Sequence, residues 1–341
     1  MKETLNDIVN QMAMQSMKKE ACMGLRKISY EDFKRRARAH QVKFREDFLT
    51  VHYDEYENVL TPSDAAEGLI FYEGFRKEIM AGLQKPVPRT SARPGGQMLA
   101  NLLRSEHIPY NIFFPMKKDL AGTGKLFNKI LGTDEIRTVD DILIEYHPEP
   151  IEEYLNDHTA FDVYIAYTDT VNRACGIGIE VKYTESGYSL KPNSAEYRHV
   201  KDEHGNARLF EPYARATKGS GYYKDGIRCD MLVSNKFRQV WRNHILGASM
   251  VLHGDIAKFT SITLFPRENV HFFIKVMPEY KKMLSDEGYG TCIPLTYEFL
   301  FECMSDCLNL EGKDDWIKYL EARYLINRFA ELFTTGTVAG K

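Results

Sequence analysis

The sequence predicts an α/β fold, with helices flanking a mixed central β-sheet and helical additions at both ends of the chain. Alternating apolar and polar residues predict strands at 161–167 and 176–183, because strand side chains point to opposite faces in turn. An amphipathic segment at 231–253 predicts a long helix, and a further strand follows at 258–265. Strands followed by a helix and another strand are typical of this class.

The composition is that of a globular protein. The chain has 341 residues, of which 43% are hydrophobic and 27% charged, so it is long enough to bury a sizeable core. It contains no apolar run of membrane-spanning length, and residues 1–10 lack the apolar core of a signal peptide. The six cysteines form no CxxC pair. We therefore expect a cytoplasmic protein with no zinc site and no membrane partner.

The charges are unevenly distributed near the N-terminus. The net charge is −3, which gives no indication of a nucleic-acid partner. Residues 18–45 hold ten Lys and Arg against three acids, whereas residues 46–78 hold nine acids against two bases. One interpretation is a basic surface. The alternative is that the two segments pair with each other or form solvated helix faces.

The N-terminal third is predicted to be mostly helical. Helices are expected at 3–20, at 30–48 with Ser29 as the N-cap, and at 62–83. A stretch rich in Pro, Gly, Arg and Ser at 85–96 reads as a connection. We therefore predict a helical region at 1–90 and a second domain, which carries the C-terminal helices, at 91–341.

The remaining elements are predicted in the same way. A short helix is expected at 97–105, a strand at 111–116, a helix at 119–131 and a strand at 142–146. Helices are expected at 270–284, 297–310 and 314–333. The long irregular segment at 183–230 suggests a lid, a substrate-contacting arm or simple disorder.

The predicted strand at 176–183 has apolar side chains on one face and glycines with charged side chains on the other. Ile177, Ile179 and Val181 would point to one face of the strand and suit a core. The opposite face would carry Glu180 and Lys182 after two glycines, Gly176 and Gly178. The glycines would leave that face without bulk, so that a large backbone could approach it.

A symmetric hairpin centred near Val171 would place Asp162 directly opposite Glu180. Opposed residues of an antiparallel pair point to the same face, with Cβ atoms roughly 4.5–5.5 Å apart. Two carboxylates at that separation repel each other unless a cation lies between them. Lys182 is one candidate cation and a divalent metal is another, since oxygen ligands are those that Mg²⁺ prefers.

The tripeptide Glu-x-Lys occurs three times, at residues 180–182, 279–281 and 311–313, and only the first copy lies on a predicted strand. With Asp162 on the preceding strand and a following helix that contains Gln239-Val240-Trp241-Arg242-Asn243, the pattern resembles the PD-(D/E)xK nuclease superfamily over about residues 95–265. One departure is Phe161, where the motif has proline.

This resemblance implies a restriction-endonuclease-like core and a Mg²⁺-dependent nuclease, with Mn²⁺ as a substitute ion and DNA as the favoured substrate. Asp162 and Glu180 would bind the metal together with the Val181 carbonyl. Lys182 would orient or deprotonate the attacking water, and Gln239 would position it. The superfamily often adds an upstream glutamate, for which the sequence does not choose among three candidates: Glu67, Glu78 and Glu106.

Simpler interpretations exist for the same residues. Asp162, Glu180 and Lys182 could form a salt-bridge cluster on a solvated sheet face. The polar residues of the 231–253 helix could form its solvated side. Trp241 is expected to pack in the core rather than to stack on a base, and His244 to be packed or at the surface rather than to act as a ligand. At the level of function, the alternatives are a catalytically silent nucleic-acid-binding module and a protein-interaction component. The oligomeric state is left open, with a homodimer among the options.

Overall fold

The computed structural model describes residues 29–83, 96–187 and 212–326. Within these ranges one mixed sheet has its strands in the order β1-β2-β3-β4-β5. The β1–β2 and β2–β3 pairs are antiparallel, whereas the β3–β4 and β4–β5 pairs are parallel. The strands are β1 (Ile136–Tyr146), β2 (Phe161–Asp169), β3 (Ala174–Val181), β4 (Lys258–Phe265) and β5 (Cys292–Thr296). This is the mixed sheet that the sequence predicts.

Helices cover both faces of the sheet. Those before the sheet are α1 (Tyr30–Phe44), α2 (Pro62–Ala66), α3 (Glu73–Leu83), α4 (Gly96–Ala100), α5 (Ile108–Ile112) and α6 (Leu120–Leu131). Those after β3 are α7 (Tyr213–Gly219), α8 (Cys229–Leu232), α9 (Arg238–His253), α10 (Met277–Lys281), α11 (Asp286–Thr291), α12 (Tyr297–Cys307) and α13 (Lys313–Tyr324). Short π or 3₁₀ turns lie at Arg45–Leu49, Pro115–Lys118, Ile151–Glu153 and His271–Val276. None of the described helices is long and apolar enough to cross a membrane.

One face of the sheet packs on the N- and C-terminal helices. Val163, Ile165, Ile177, Ile179 and Val181 are fully buried there, beside side chains of α1, α6, α12 and α13. Helix α1 thus shares a core with the sheet, because its buried aromatic residues belong to the same cluster. The division of the chain near residue 90 stays a prediction.

The opposite face of the sheet packs on α9. Val240, Trp241 and Ile245 of this helix lie in a second core with Phe161 of β2 and Phe259 of β4. The helix contacts both β3 and β4 and connects them as a crossover, as expected for a parallel strand pair. Trp241 is fully buried, which confirms that it packs in the core, and His244 takes the packed one of its two expected positions.

The predicted hairpin register is confirmed. Tyr164 of β2 pairs with Gly178 of β3, and Val163 pairs with Ile179. Continuing this ladder by one residue places Asp162 opposite Glu180. The register follows from the alternation of the two strands, because a slip of one residue would turn every core side chain to the wrong face.

Helix starts are set by local chemistry. Ser29 caps α1 and accepts a hydrogen bond from the Asp32 amide at 3.0 Å, as predicted. Asp119 caps α6 in the same way through the Gly122 amide, at 2.8 Å.

The basic residues of α1 largely pair with acids close by, such as Arg36 with Asp32 and with Glu268. Lys43 pairs with Asp47 and Arg45 with Glu46. These contacts favour the interpretation of mutually paired charges over that of a basic surface.

Two predictions of secondary structure are wrong. The segment 111–116 is not a strand, because it belongs to α5 and the following 3₁₀ turn. Both turns begin with proline, Pro109 and Pro115, which suits the first turn of a helix and cannot donate to a strand ladder. The sequence also missed β5, a five-residue strand at the sheet edge that contains Pro294.

Several predicted helices are shorter than expected; those at 97–105 and 297–310, for example, end at Ala100 and Cys307. The 62–83 segment breaks between α2 and α3, where Gly68 takes a left-handed conformation with φ of 71°. The 231–253 helix begins only at Arg238, and the 270–284 helix is divided into a π-helical turn and α10. The predicted helix at 3–20 lies outside the described residues, as do most of the connection at 85–96 and the middle of the 183–230 segment.

Candidate active site

The predicted acidic pair lies at one edge of the sheet, where β2 begins and β3 ends. Because the two strands are antiparallel, Asp162 near the start of β2 meets Glu180 near the end of β3. Lys182 follows directly after β3 and points to the same side as Glu180. The fold therefore brings together the three residues that the sequence singled out.

Glu180 lies between two donors. The Lys182 ammonium forms an ion pair with its Oε1 atom, and the Asn243 side-chain amide donates to its Oε2 atom. Glu180 is only 4% exposed and Lys182 only 2%. Glu180 and Lys182 do form a salt bridge, but the interpretation that places them on a solvated face is wrong, whereas Asp162 is partly exposed. Asn243 of helix α9 contacts the buried Glu180.

Hydrogen bonds to the main chain hold the end of β3 in place. Asp162 Oδ2 accepts the Val181 amide at 2.7 Å, which ties β2 to β3 at the site. The Lys182 amide donates to the Leu264 carbonyl at 2.8 Å, and the Tyr297 hydroxyl donates to the Lys182 carbonyl at 2.9 Å. The backbone on both sides of the Glu-x-Lys tripeptide is thus fixed by β4 and α12.

The structure adds a third carboxylate that the sequence analysis missed. In the β1–β2 ladder, Ile144 pairs with Val163 and Tyr146 with Phe161, so Glu145 falls opposite Asp162. Glu145 also has a left-handed backbone with φ of 55°, which is uncommon for a residue other than glycine and is often found at functional sites. The signal available in the sequence was a single acid within the apolar strand 142–146.

Burial and mutual repulsion shape the charges of these carboxylates. Burial raises the pKa of Asp162 well above its usual range, and the charge of Glu180 adds to this effect, while Lys182 opposes it. Burial also raises the pKa of Glu145 to about 7, with further contributions from Glu180 and Glu106. Ionising all of these carboxylates together is therefore costly unless positive charge beyond that of Lys182 is supplied.

Helix α9 carries two polar residues near this edge, Gln239 and Asn243, and Asn243 contacts Glu180. Asn243 is 3% exposed, which contradicts its interpretation as part of a solvated helix side. Its Oδ1 atom and the Oε1 atom of Gln239, one turn earlier, are buried without a hydrogen-bond partner among the described residues. Buried acceptors of this kind are uncommon and call for a donor or a cation. Asn243 therefore joins the acidic pair through its hydrogen bond to Glu180, whereas the place of Gln239 in the site stays a prediction.

The three candidate upstream glutamates have different positions. Glu67 and Glu78 are exposed, and Glu78 accepts from Lys118 at 2.6 Å. Glu106 is half-buried and pairs with Arg104. Its charge nevertheless contributes to the raised pKa of Glu145. Of the three candidates, Glu106 is the one whose charge acts on the acidic residues of the site, while Glu145 lies opposite Asp162 itself.

The glycine-lined face of β3 is not open. A Cβ added at Gly176 would meet the Tyr164 hydroxyl, and one added at Gly178 would meet the ring of Phe161. Aromatic side chains of β2 therefore fill the space that the sequence suggested for an approaching backbone. The prediction of a bare face was wrong, because the neighbouring strand supplies the missing bulk.

The donor set at this edge suits a hard divalent cation. Two carboxylates, a backbone carbonyl and two amide oxygens are all oxygen ligands, and the amide oxygens lack partners among the described residues. No group of three or more His, Cys, Asp or Glu side chains in the described ranges is arranged to hold a metal ion by itself. A cation here would rely on Asp162 and Glu180 with backbone, amide and water oxygens, which is a common arrangement for Mg²⁺.

The order of elements from α6 onward defines a class of protein. A helix precedes three antiparallel strands, and a second helix leads to a parallel fourth strand. With an Asp on the second strand and Glu-x-Lys on the third, this is a restriction-endonuclease-like α/β fold. The chain belongs to the PD-(D/E)XK nuclease superfamily, whose family model matches residues 29–326. No curated protein and no solved structure shows a significant match.

Members of this superfamily are generally metal-dependent nucleases, and they typically use divalent ions. The match confirms the resemblance drawn from the Asp and Glu-x-Lys strands. It also extends further than that resemblance, because it begins at α1 and ends after α13.

Proposed function

We propose that this protein is a divalent-metal-dependent nuclease that hydrolyses phosphodiester bonds, with DNA as the favoured substrate. The observation that carries the proposal is the meeting of Asp162 with the buried Glu180 and Lys182 at one sheet edge, in a chain of this superfamily. Charged residues are seldom buried together unless they pair or serve a site.

Asp162 and Glu180 are the proposed metal ligands, together with the Val181 carbonyl. When bound, Mg²⁺ would lower the pKa of a coordinated water and offset charge on the phosphate. Mn²⁺ is the expected substitute. The raised pKa of Asp162 supports this assignment, because a nearby cation would favour the ionised carboxylate.

Lys182, Asn243 and Gln239 would orient the attacking water and the metal ligands, and Lys182 would also offset charge on the phosphate. As an ammonium, Lys182 would hold the attacking water and stabilise negative charge on the phosphate; as a neutral amine it would instead accept the proton of that water. Asn243 would keep the Glu180 carboxylate in one orientation through its amide donor. Gln239 would accept a hydrogen bond from a water through its buried Oε1 atom.

A cleavage assay tests the proposal. Plasmid, linear duplex, single-stranded DNA and RNA would be incubated with Mg²⁺ or Mn²⁺ and the wild type, Lys182→Ala or Lys182→Gln. We expect cleavage by the wild type and a loss of at least about 100-fold in both variants, since a general acid or base typically contributes that much. Lys313→Ala is the matched control, because Lys313 belongs to another Glu-x-Lys tripeptide, in a turn and at the start of α13.

Full activity in folded Lys182→Ala would refute the role of Lys182. Absence of cleavage on every substrate would refute the nuclease.

A catalytically silent module is the second candidate, and one observation favours it. The Lys182 ammonium is already paired with Glu180, so part of the acidic charge is neutralised within the protein. Calorimetric titration with Mn²⁺ separates the two candidates. Binding that is lost in Asp162→Asn supports the nuclease, whereas no binding to the wild type supports the silent module.

A further inference from the structure

A buried polar network lies beside the candidate active site, and its central residue is Arg242 of α9. The Arg242 Nε atom donates to Thr159 Oγ1 at 3.1 Å, and its Nη2 atom lies 3.4 Å from Asp157 Oδ2. Asp157 also accepts from the Thr159 amide at 2.9 Å and from the Tyr213 hydroxyl. The guanidinium is thus held in one orientation by groups from α7 and from the segment before β2.

This network adjoins the acidic pair. Arg242 precedes Asn243, whose amide donates to Glu180, and it lies one turn after Arg238 at the start of α9. Thr159 is three residues before Asp162 on the chain that enters β2. The Glu180 carboxylate is close enough for its charge to raise the pKa of Arg242, which the Tyr213 and Asp157 oxygens also raise.

The Arg242 side chain is not sealed from solvent. It is 20% exposed, whereas its partner Asp157 is 6% exposed. A guanidinium that buried acceptors hold in one orientation is suited to bind a phosphate, because its donors need no further ordering.

The start of α9 adds to the positive potential. The N-cap residue, Phe237, makes no side-chain capping hydrogen bond, so the partial positive charge of the helix end is not offset by a cap. Arg238 is the first residue of this 16-residue helix, and Arg242 stands on the same side one turn later. Burial and the charge of Arg242 lower the pKa of Arg238, while Asp157 acts in the opposite direction.

We propose that Arg242, supported by Arg238, binds a backbone phosphate of the nucleic-acid strand next to the bond that is cut. Thr159, Asp157 and Tyr213 are positioning residues that hold the Arg242 guanidinium for this contact. This inference rests on the proposed function for the identity of the ligand. Under this proposal, Asp162, Glu180 and Lys182 act at the scissile bond. Arg242 fixes the position of the nucleic-acid strand beside that bond.

Binding without cleavage tests the inference separately from the nuclease activity. A fluorescein-labelled duplex and a single-stranded oligonucleotide would be titrated with protein in EDTA, and anisotropy measured between about 50 and 200 mM salt. Arg242→Gln is expected to weaken binding by about ten-fold or more, because it removes a charge-assisted contact. It should also reduce the slope of log affinity against log salt by about one. Loss of folding alone would not produce this change of slope.

Arg173→Gln is the matched control. Arg173 also pairs with an aspartate, Asp169, but at the opposite end of β2 and β3. We expect its affinity and salt slope to equal those of the wild type. If Arg242→Gln is too unstable to purify, Arg242→Lys keeps a cation opposite Asp157 but loses the planar fork, and several-fold weaker binding is expected.

The outcomes are separable. Equal affinity and salt slope in the wild type and in folded Arg242→Gln would overturn the inference, even if the wild type cuts DNA. A selective loss in Arg242→Gln would support it, even if the wild type cuts nothing. A wild type that binds neither oligonucleotide would overturn both this inference and the proposed nuclease.

Discussion

Asn243→Ala is expected to weaken metal binding far more than it weakens the fold. The substitution removes the amide that donates to the buried Glu180 carboxylate. A hydrogen bond to a charged group contributes about 1.5–3 kcal/mol to stability. The same substitution also removes the Oδ1 atom, which lacks a partner among the described residues and whose burial costs about 1–3 kcal/mol. The two terms nearly cancel, so the free energy of unfolding should fall by no more than about 1 kcal/mol.

The effect on metal affinity does not cancel in this way. A residue that orients a metal ligand typically contributes 10- to 100-fold to affinity, which corresponds to about 1.4–2.7 kcal/mol. Without the Asn243 amide, the Glu180 carboxylate can rotate toward Lys182 and must be reoriented when the ion binds. Mn²⁺ affinity, measured by calorimetry at neutral pH, should therefore fall 10- to 100-fold.

Ser249→Ala is the control for this prediction. Ser249 is buried on the same helix, and its hydroxyl donates to the Leu246 carbonyl, far along α9 from Glu180. It should lose a little stability, measured by urea unfolding, and keep the Mn²⁺ affinity of the wild type. If Asn243→Ala binds Mn²⁺ within two-fold of the wild type, Asn243 does not orient a metal ligand and the argument fails.

Three further predictions concern the fold. His40 is buried and donates to the Arg323 carbonyl, and burial lowers its pKa from 6.5 to about 4. The unfolded chain therefore takes up a proton first as the pH falls, and stability should drop by about 3 kcal/mol between pH 6.5 and 4. His40→Gln should flatten this part of the stability profile measured by urea unfolding. Gly178→Ala should destabilise by about 1–3 kcal/mol, because its methyl group would meet the ring of Phe161. Ser29→Ala should cost about 1 kcal/mol, by loss of the α1 cap.

Each of these predictions has a clear contrary result. An identical pH profile in His40→Gln would show that another group sets acid stability. A Gly178→Ala protein as stable as the wild type would mean that Phe161 can move aside at no cost. Ser63→Ala, which removes a neutral polar side chain just after the Thr61 cap of α2, is the control for Ser29 and should change stability by less than about 0.5 kcal/mol.

Much of the site could be predicted because the information is local. The alternation of residues 161–167 and 176–183 specified two strands, and their symmetric hairpin specified which residues oppose each other. Asp162, Glu180 and Lys182 could therefore be placed together without knowledge of the rest of the chain. The helix that contains Gln239 was equally clear, apart from its start, which was predicted at residue 231 and lies at Arg238, since its apolar stripe is long.

Elements with mixed local signals were not predicted. Residues 111–116 form a largely apolar run that suits either a strand or a helix, and Pro109 before it and Pro115 within it favoured the helical turns that form. Strand β5 is short and contains Pro294, so it depends on pairing with β4 rather than on its own pattern.

The sequence by itself determined the order of β2, β3, α9 and β4, the hairpin register and the acidic pair with its lysine. These follow from the two-residue period of a strand, which operates over neighbouring residues. Only the tertiary structure decided that Glu145 joins the acidic pair, that Asn243 holds Glu180 and that Thr159 and Asp157 hold Arg242. It also decided that Phe161 and Tyr164 fill the face left by the glycines. These contacts join residues far apart in the chain, and burial between the sheet and α9 gives their charges a strength that no local pattern encodes.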